Sequence, residues 1–370
     1  MKVIFDQQIF LLQEYGGISR YICSLAKSLS KIDGVNVKVL APLHHNYYLR
    51  NNSIKSIVCG FRIPQINKTL RFVNIISTTI ANLLIKLFSP DIVHETYFSS
   101  VSSISTGAKR VVTVYDMIHE KFPESFNKSY LTTELKRKAF QRANHIICIS
   151  ENTRRDLIDI FNIPAEKTST VYLGYDSLVP SNNPSNELLD ITNIKPFLLF
   201  VGSRGGYKNA KSLLEVYSES SFLKENYRLI FFGGGRFTEE ESNFILELGL
   251  NEEHISQIAG DDGDLAYTYK RATAFIYPSL YEGFGIPPLE AMSLGCPVIC
   301  SNTSSIPEVV GDAAELFSPD DDNAMKMAIE NVVRSEKRKS ELVDKGFDRC
   351  KLFTWERCAK ETYSIYKELL

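Results

Sequence analysis

Several common signatures are missing from this sequence, and each absence removes a class of function. The seven cysteines (Cys23, Cys59, Cys148, Cys296, Cys300, Cys350 and Cys358) form no C-x-x-C pair. Their number is odd, and no His or Cys cluster completes a zinc site beside Cys296 and Cys300, so buried free thiols are expected. There is no G-x-G-x-x-G, which argues against a nicotinamide dehydrogenase. No apolar run is long enough to span a bilayer. The opening "KVIFDQQIF" reads as a polar-broken strand and not as a signal peptide. A formal net charge of −2 argues against nucleic acid as a partner.

The last absence is local. From Gly34 to Pro90 there is no Asp or Glu, while Lys38, Arg50, Lys55, Arg62, Lys68, Arg71 and Lys86 all fall there. At the chain's average, roughly seven acids would be expected in that stretch. Within it, "NKTLRFVNIISTTIANLLIKLF" (67–88) is an apolar helix candidate with basic residues toward both ends. Two readings stand: a surface against anionic lipid, or a helix packed on a sheet with incidental charges.

What is present is an alternation of apolar strands and helical stretches. In the first half the strands are read at 2–5, 35–40, 56–63, 91–96, 110–116, 145–150 and 169–174. In the second they are read at 196–202, 227–234, 254–260, 274–279, 297–301 and 313–318. Continuous apolar strands separated by helices imply parallel sheets covered on both faces, an α/β class. The stretch "SLVPSNNPSNELLDITNIKP" (177–196) is rich in Ser, Asn and Pro and reads as a linker between two doubly wound domains. Ligands are expected at the strand C-terminal ends, in a cleft between the domains.

Four constellations carry polar chemistry. "YEGFGIPPLE" (281–290) follows an apolar strand, turns on Gly283 and Gly285, and starts a helix at Pro287 and Pro288. Such a helix start suits phosphate. Glu282 and Glu290 would repel that phosphate, so they are expected to hold neutral sugar hydroxyls beside it. "FVGSRGGYKNAKSLLEVY" (200–217) is a strand, a glycine-rich turn beginning at Gly202 and Ser203, and a helix. Arg204 and Lys208 on that turn have the charge to hold a diphosphate, or they are ordinary surface charges. "EYGGISRY" (14–21) places Gly16 and Gly17 at a helix start. In "DIVHETYF" (91–98) His94 sits at a strand's C-terminal end, as a sugar-contacting group or a structural histidine. Asp116 and His119 follow the neighbouring strand and read the same way.

These residues carry a resemblance. "SLYEGFGIPPLEAMSLGCPVICSNTSSIPEVVGDAA" (279–314) is similar to the signature region of glycosyltransferase family 4, retaining enzymes of the GT-B fold, with its E-x7-E motif at Glu282 and Glu290. "FVGSRGGYKN", "IICISENTRRDLI", "VYLGYD" and the terminal "FTWERCAKETYSIYKEL" are similar too, so nearly the whole chain is covered.

The resemblance implies two Rossmann-like domains facing across a cleft: 1–176 for the acceptor, a linker at 177–195, and 196–353 for the nucleotide sugar. A final helix at 354–370 is expected to cross back to the first domain. It implies that Glu282 contacts the donor sugar and Glu290 the ribose. Arg204 and Lys208 would neutralise the diphosphate, and the amides near Phe284, Gly285 and Ile286 would contact phosphate or sugar. His94 matches the family's histidine near the sugar; Gly16 and Gly17 match its N-terminal glycine loop, and Gly202 and Ser203 belong to the donor turn. No cofactor or metal is implied, only the nucleotide-diphosphate sugar as co-substrate. One departure is "TVYD", where many members read T-x-H-D and Tyr115 replaces the histidine.

The expectation is a cytoplasmic mannosyltransferase-like enzyme, peripheral on the inner face of the membrane through residues 34–90. Its donor would be GDP-mannose and its acceptor a lipid-linked glycan of O-antigen or capsule type. The rivals are a non-hydrolysing nucleotide-sugar epimerase on the same fold and a non-catalytic sugar- or nucleotide-binding module.

Overall fold

A computed structural model of the chain describes residues 1–64, 70–100, 107–126 and 128–370. It divides into two compact units, Met1–Gly174 with Phe353–Leu370, and Tyr175–Leu352.

The first unit is built on β1 (Lys2–Phe5), β2 (Asn36–His44), β3 (Val58–Arg62), β4 (Ile92–Glu95), β5 (Lys109–Val114), β6 (His145–Cys148) and β7 (Thr168–Thr170). They form one parallel sheet in the order β3-β2-β1-β4-β5-β6-β7. Its central strands are buried on both faces: Val3, Ile4, Phe5, Val111, Val112, Ile146 and Ile147 are at most 1% exposed. That is why they read as unbroken apolar runs and not as alternating ones. The helix Trp355–Glu368 packs on the helix Gly17–Leu29, with Trp355 beside Tyr21. Thr354 caps it by accepting the Arg357 N–H.

The second unit holds β8 (Phe197–Val201), β9 (Arg228–Phe232), β10 (Ile255–Ile258), β11 (Ala274–Tyr277), β12 (Val298–Ser301) and β13 (Glu315–Phe317). The order β10-β9-β8-β11-β12-β13 is again wholly parallel. The core fills with Leu198, Phe200, Leu229, Phe231, Ile276 and Ile299, packed under helix residues such as Leu213, Tyr217 and Ile329.

The segment 177–195, read as a linker, is corrected by the structure. It contains a helix, Asn186–Asn193, capped by Ser185 and seated on the second unit through buried Leu188 and Thr192. The polar composition hid it because only two of its side chains are buried. Residues 65–69 of the acid-free stretch, Lys68 included, lie outside the described residues; the helix that follows runs Leu70–Phe88. Among the described residues, no helix is long and apolar enough to cross a membrane.

Candidate active site in the second unit

The strand order of the second sheet reverses between β8 and β11: the chain runs outward from β8 to β10, then resumes on the other side of β8 with β11. In open parallel sheets, ligands bind outside the strand C-terminal ends at such a point. Two loops leave from there. After β8 the chain passes through Gly202, the turn Gly206–Lys208, and a left-handed Asn209 that opens the helix Ala210–Glu219. After β11 it runs to Gly285 and the helix Ile286–Ser293. Leu280 donates its backbone N–H to the Tyr207 carbonyl at 2.7 Å, which ties the loops together. Gly285 has φ +128°, a value that L side chains rarely adopt, so a glycine is needed where the loop turns into the helix.

Lys208 and Glu282 come from these two loops and meet. The Lys208 ammonium lies 2.7 Å from Glu282 Oε1, with both side chains mostly but not wholly buried. It also lies 5.4 Å from the Tyr207 ring and 5.5 Å from the Tyr277 ring, so its charge is held by a carboxylate and two aromatic faces. Burial, and then the Glu282 carboxylate, push the Tyr277 phenol well above its ordinary pKa. Glu290, also buried, is on the helix Ile286–Ser293. It adds to the burial that raises the Tyr269 phenol.

The loop bearing Glu282 is fixed by side-chain hydroxyls from the segment after β12. Ser305 donates to the Glu282 carbonyl at 2.9 Å and to the Phe284 carbonyl at 2.7 Å. Glu282 donates its N–H to Ser304 Oγ at 2.9 Å, and Thr303 donates to the Leu280 carbonyl at 3.0 Å. Sequence reasoning quoted "SNTSS" (301–305) only as part of a resemblance and gave it no role. Its signal was a run of hydroxyls directly after an apolar strand.

Comparison with known proteins now bears on this geometry. Residues 15–177 match the family described as Glycosyltransferase Family 4, and residues 186–349 match Glycosyl transferases group 1. The chain is 32% identical over 270 residues to O-antigen chain mannosyltransferase B of Escherichia coli, covering 70% of this chain and 71% of that one. The chain belongs to the family 4 glycosyltransferases.

Another relative is the O-antigen chain mannosyltransferase RfbU of Salmonella typhimurium, 26% identical with 60% of each chain covered. Among solved structures, Anabaena HepE in complex with UDP and glucose superposes with a TM-score of 0.75 at 16% identity, with both chains fully covered. The transferase is thus of the hexosyltransferase type and has the GT-B fold, built from two Rossmann-like units.

Arg204 is placed differently from the sequence expectation. Its guanidinium donates to Glu241 at 2.8 and 3.0 Å and to the carbonyls of Gly233, Gly235 and Arg236 at 3.3, 3.0 and 3.0 Å. It also stacks on Phe237, and only 5% of its side chain is exposed. A fork so fully engaged is not presented to a diphosphate; Arg204 instead fastens the β8 loop to the segment after β9. Glu241 closes the capping box of the helix Glu239–Glu247 with Thr238, and the Arg204 hydrogen bond leads the causes that lower its pKa. The packing is close: a Cβ on Gly234 would come within 2.6 Å of the Gly202 carbonyl oxygen and 2.8 Å of Arg204. The "GGG" at 233–235 was the missed sign of this contact, with all three at positive φ.

Gly16, Gly17 and His94 belong to the first unit of the transferase. Gly17 begins the helix Gly17–Leu29, and the Gln13 side chain accepts the Ser19 N–H at 3.2 Å beneath it. His94 is corrected as a ligand-contacting residue: it is 0% exposed. Its Nδ1 pairs with the Tyr366 hydroxyl of the C-terminal helix and its Nε2 with Thr113 at 2.8 Å. Burial lowers its pKa to about 3, so it is a neutral structural imidazole. Tyr115 is buried and donates to the Thr96 carbonyl at 3.2 Å. Asp116 accepts the Ile118 N–H at 3.1 Å, and His119 stacks on Phe126.

Proposed function

We propose that the protein transfers mannose from GDP-mannose, with retention of anomeric configuration, to a lipid-linked glycan of the O-antigen or capsule type. On this reading it works as a peripheral protein on the inner face of the membrane. The observation that carries the reading is the Lys208–Glu282 pair at the point where the second sheet reverses its strand order, inside an E-x7-E region that ends on buried Glu290. The mannosyltransferase relatives support the choice of sugar.

The chemistry follows from that arrangement. As the bond to the diphosphate breaks, negative charge grows on the leaving oxygen. The Lys208 ammonium and the backbone amides at Phe284, Gly285 and Ile286 take up that charge from loops that are already fixed. Glu282 accepts donor-sugar hydroxyls and keeps Lys208 oriented in the absence of donor. Glu290 accepts the ribose hydroxyls. No cofactor or metal enters these steps, so EDTA is expected to leave turnover unchanged.

The test is a thermal-shift screen against UDP, GDP, dTDP and ADP and their common sugar conjugates, since a ligand that binds only the native state raises Tm. A shift with GDP and GDP-mannose that disappears in Glu290→Ala is the expected result. A larger shift with another base would replace the donor, and no shift with any of them would overturn the transferase mechanism. The anomer of the product, read by NMR, decides retention.

A further inference from the structure

One helix of the first unit carries its apolar side chains outward. On Leu70–Phe88 the side facing the sheet is narrow: Ala81 and Ile85 join Ile4, Leu40 and Val93 in a small core, and Ser77 pairs with the Leu43 backbone at 3.4 Å. The opposite side holds Phe72, Ile75, Ile76, Ile80, Leu83 and Leu87, all exposed, with Phe72 at 72% and Leu87 at 79%. At about 100° per residue these six, with Thr79 and Lys86 between them, share an arc of roughly 140°. A surface helix normally turns such an arc to the core. Contiguous exposed apolar surface of this kind marks a partner.

The charge around the helix identifies the partner. Residues 34–90 contain seven Lys and Arg and no acid, so with the chain at −2 overall the remainder carries −9. The positive charge is therefore gathered on the part of the chain that exposes the apolar arc. Arg62, half exposed beside the 78%-exposed Phe61 on the edge strand β3, belongs to it but is paired with Glu14 at 3.5 Å, which leaves Arg50 and Lys86 as the charges the proposal uses. The helix is also tied to the C-terminal edge of the sheet, since Gln7 donates to Thr78 at 3.1 Å. Loops at that edge expose Leu12, Tyr15 and Tyr47; the two tyrosine rings stack at 4.7 Å, and Arg50 lies 5.8 Å over Tyr47. Amphipathic aromatics next to basic side chains suit the headgroup level of a bilayer.

We propose that the outer face of the helix Leu70–Phe88 docks the protein on an anionic lipid bilayer. Phe72, Ile76, Leu83 and Leu87 enter the acyl boundary, and Arg50 and Lys86 meet the headgroups. The proposal extends the reading of a lipid-linked acceptor: the docked face adjoins the C-terminal strand edge of the first sheet, so an acceptor held by its lipid anchor is delivered there. Apolar insertion and attraction to anionic headgroups add, and neither alone anchors a protein firmly.

The experiment is co-sedimentation of the full chain with vesicles of phosphatidylcholine alone or with 30% phosphatidylglycerol. Three proteins are compared: wild type, Phe72→Gln/Leu83→Gln/Leu87→Gln, and Arg50→Glu/Lys86→Glu. Gln keeps helix propensity at positions already exposed, so Tm should not fall. The wild type is expected to pellet with the anionic vesicles only, and less at high salt. The Gln variant is expected to bind on the order of 100-fold more weakly. The charge variant is expected to lose about tenfold. No binding by wild type, or equal binding by the Gln variant, overturns the proposal. A wild-type dimer that the Gln variant makes monomeric, without vesicle binding, overturns it in favour of a second copy. The same samples, screened with UDP, GDP, dTDP and ADP, report the donor site separately, so vesicle binding can fail while the nucleotide shift stands, and the reverse.

Discussion

Both sheets reverse their strand order, and the two reversal points treat a buried carboxylate in opposite ways. In the second unit the point lies between β8 and β11, and Glu282 is balanced by the Lys208 ammonium at 2.7 Å. In the first it lies between β1 and β4, and among the described residues Asp6 meets neutral donors only: it accepts from the Thr96 N–H at 2.9 Å, the Thr96 hydroxyl at 2.7 Å and Gln8 at 2.6 Å. Burial, then Glu95, raise the Asp6 pKa to about 6. Glu95 in turn is paired with Arg110 and Arg142. The same topological place thus holds a counter-ion pair in one unit and a carboxyl near its protonation point in the other. A pair that reaches solvent can exchange its partner for a charged ligand. A buried carboxyl satisfied by neutral donors serves the fold.

The largest expected break of this contrast is in turnover. Lys208→Ala should lower kcat by on the order of 10²–10³, while the double change Lys208→Met/Glu282→Gln should recover any lost Tm without recovering rate. A rate restored along with Tm would make the pair structural. Next comes pH dependence. A raised acid pKa means that the folded state binds more protons than the unfolded state between about pH 4 and 6, so stability falls as pH rises through that window. Asp6→Asn should remove this slope, worth about 3 kcal/mol, in denaturant titrations across pH. His94 has the opposite sign: its depressed pKa gives stability present above pH 6.5 and lost as pH falls toward 3. Asp6→Asn should therefore unmask a slope that rises with pH.

Smaller effects sharpen the picture within the second unit. Arg204→Ala should cost about 2 kcal/mol in stability, seen as a lower Tm, with nucleotide binding kept at low temperature. A selective loss of nucleotide binding would return Arg204 to the donor site. Ser305→Ala removes the hydroxyl shared by two loop carbonyls and should cost about 1–2 kcal/mol, raising KM for the donor more than it lowers Tm.

The thirteen strands of the described residues could be read from the sequence, most directly the central ones, which are buried on two faces and form short apolar runs, whereas β3, β7 and β13 carry exposed or polar residues. Lys208 and Glu282, 74 positions apart, could be named because their residue types sit on glycine-marked loops. What could not be read was which polar groups are already engaged. Arg204 and Lys208 look alike in "GSRGGYK", yet one is enclosed by Glu241 and three carbonyls while the other reaches a carboxylate at the loop edge. His94 looked like a ligand until the C-terminal helix brought Tyr366, 272 positions away, onto its ring.

Local patterning by itself determined the strands, the helix starts after β8 and β11 and the residue types that can hold a sugar and a diphosphate, because these depend on near neighbours in the chain. Tertiary structure alone decided which of those groups stay available, which carboxylate meets a cation, and which face of the helix Leu70–Phe88 is left outside. Those outcomes depend on partners tens to hundreds of residues away, and on what burial does to an ionisable group once they arrive.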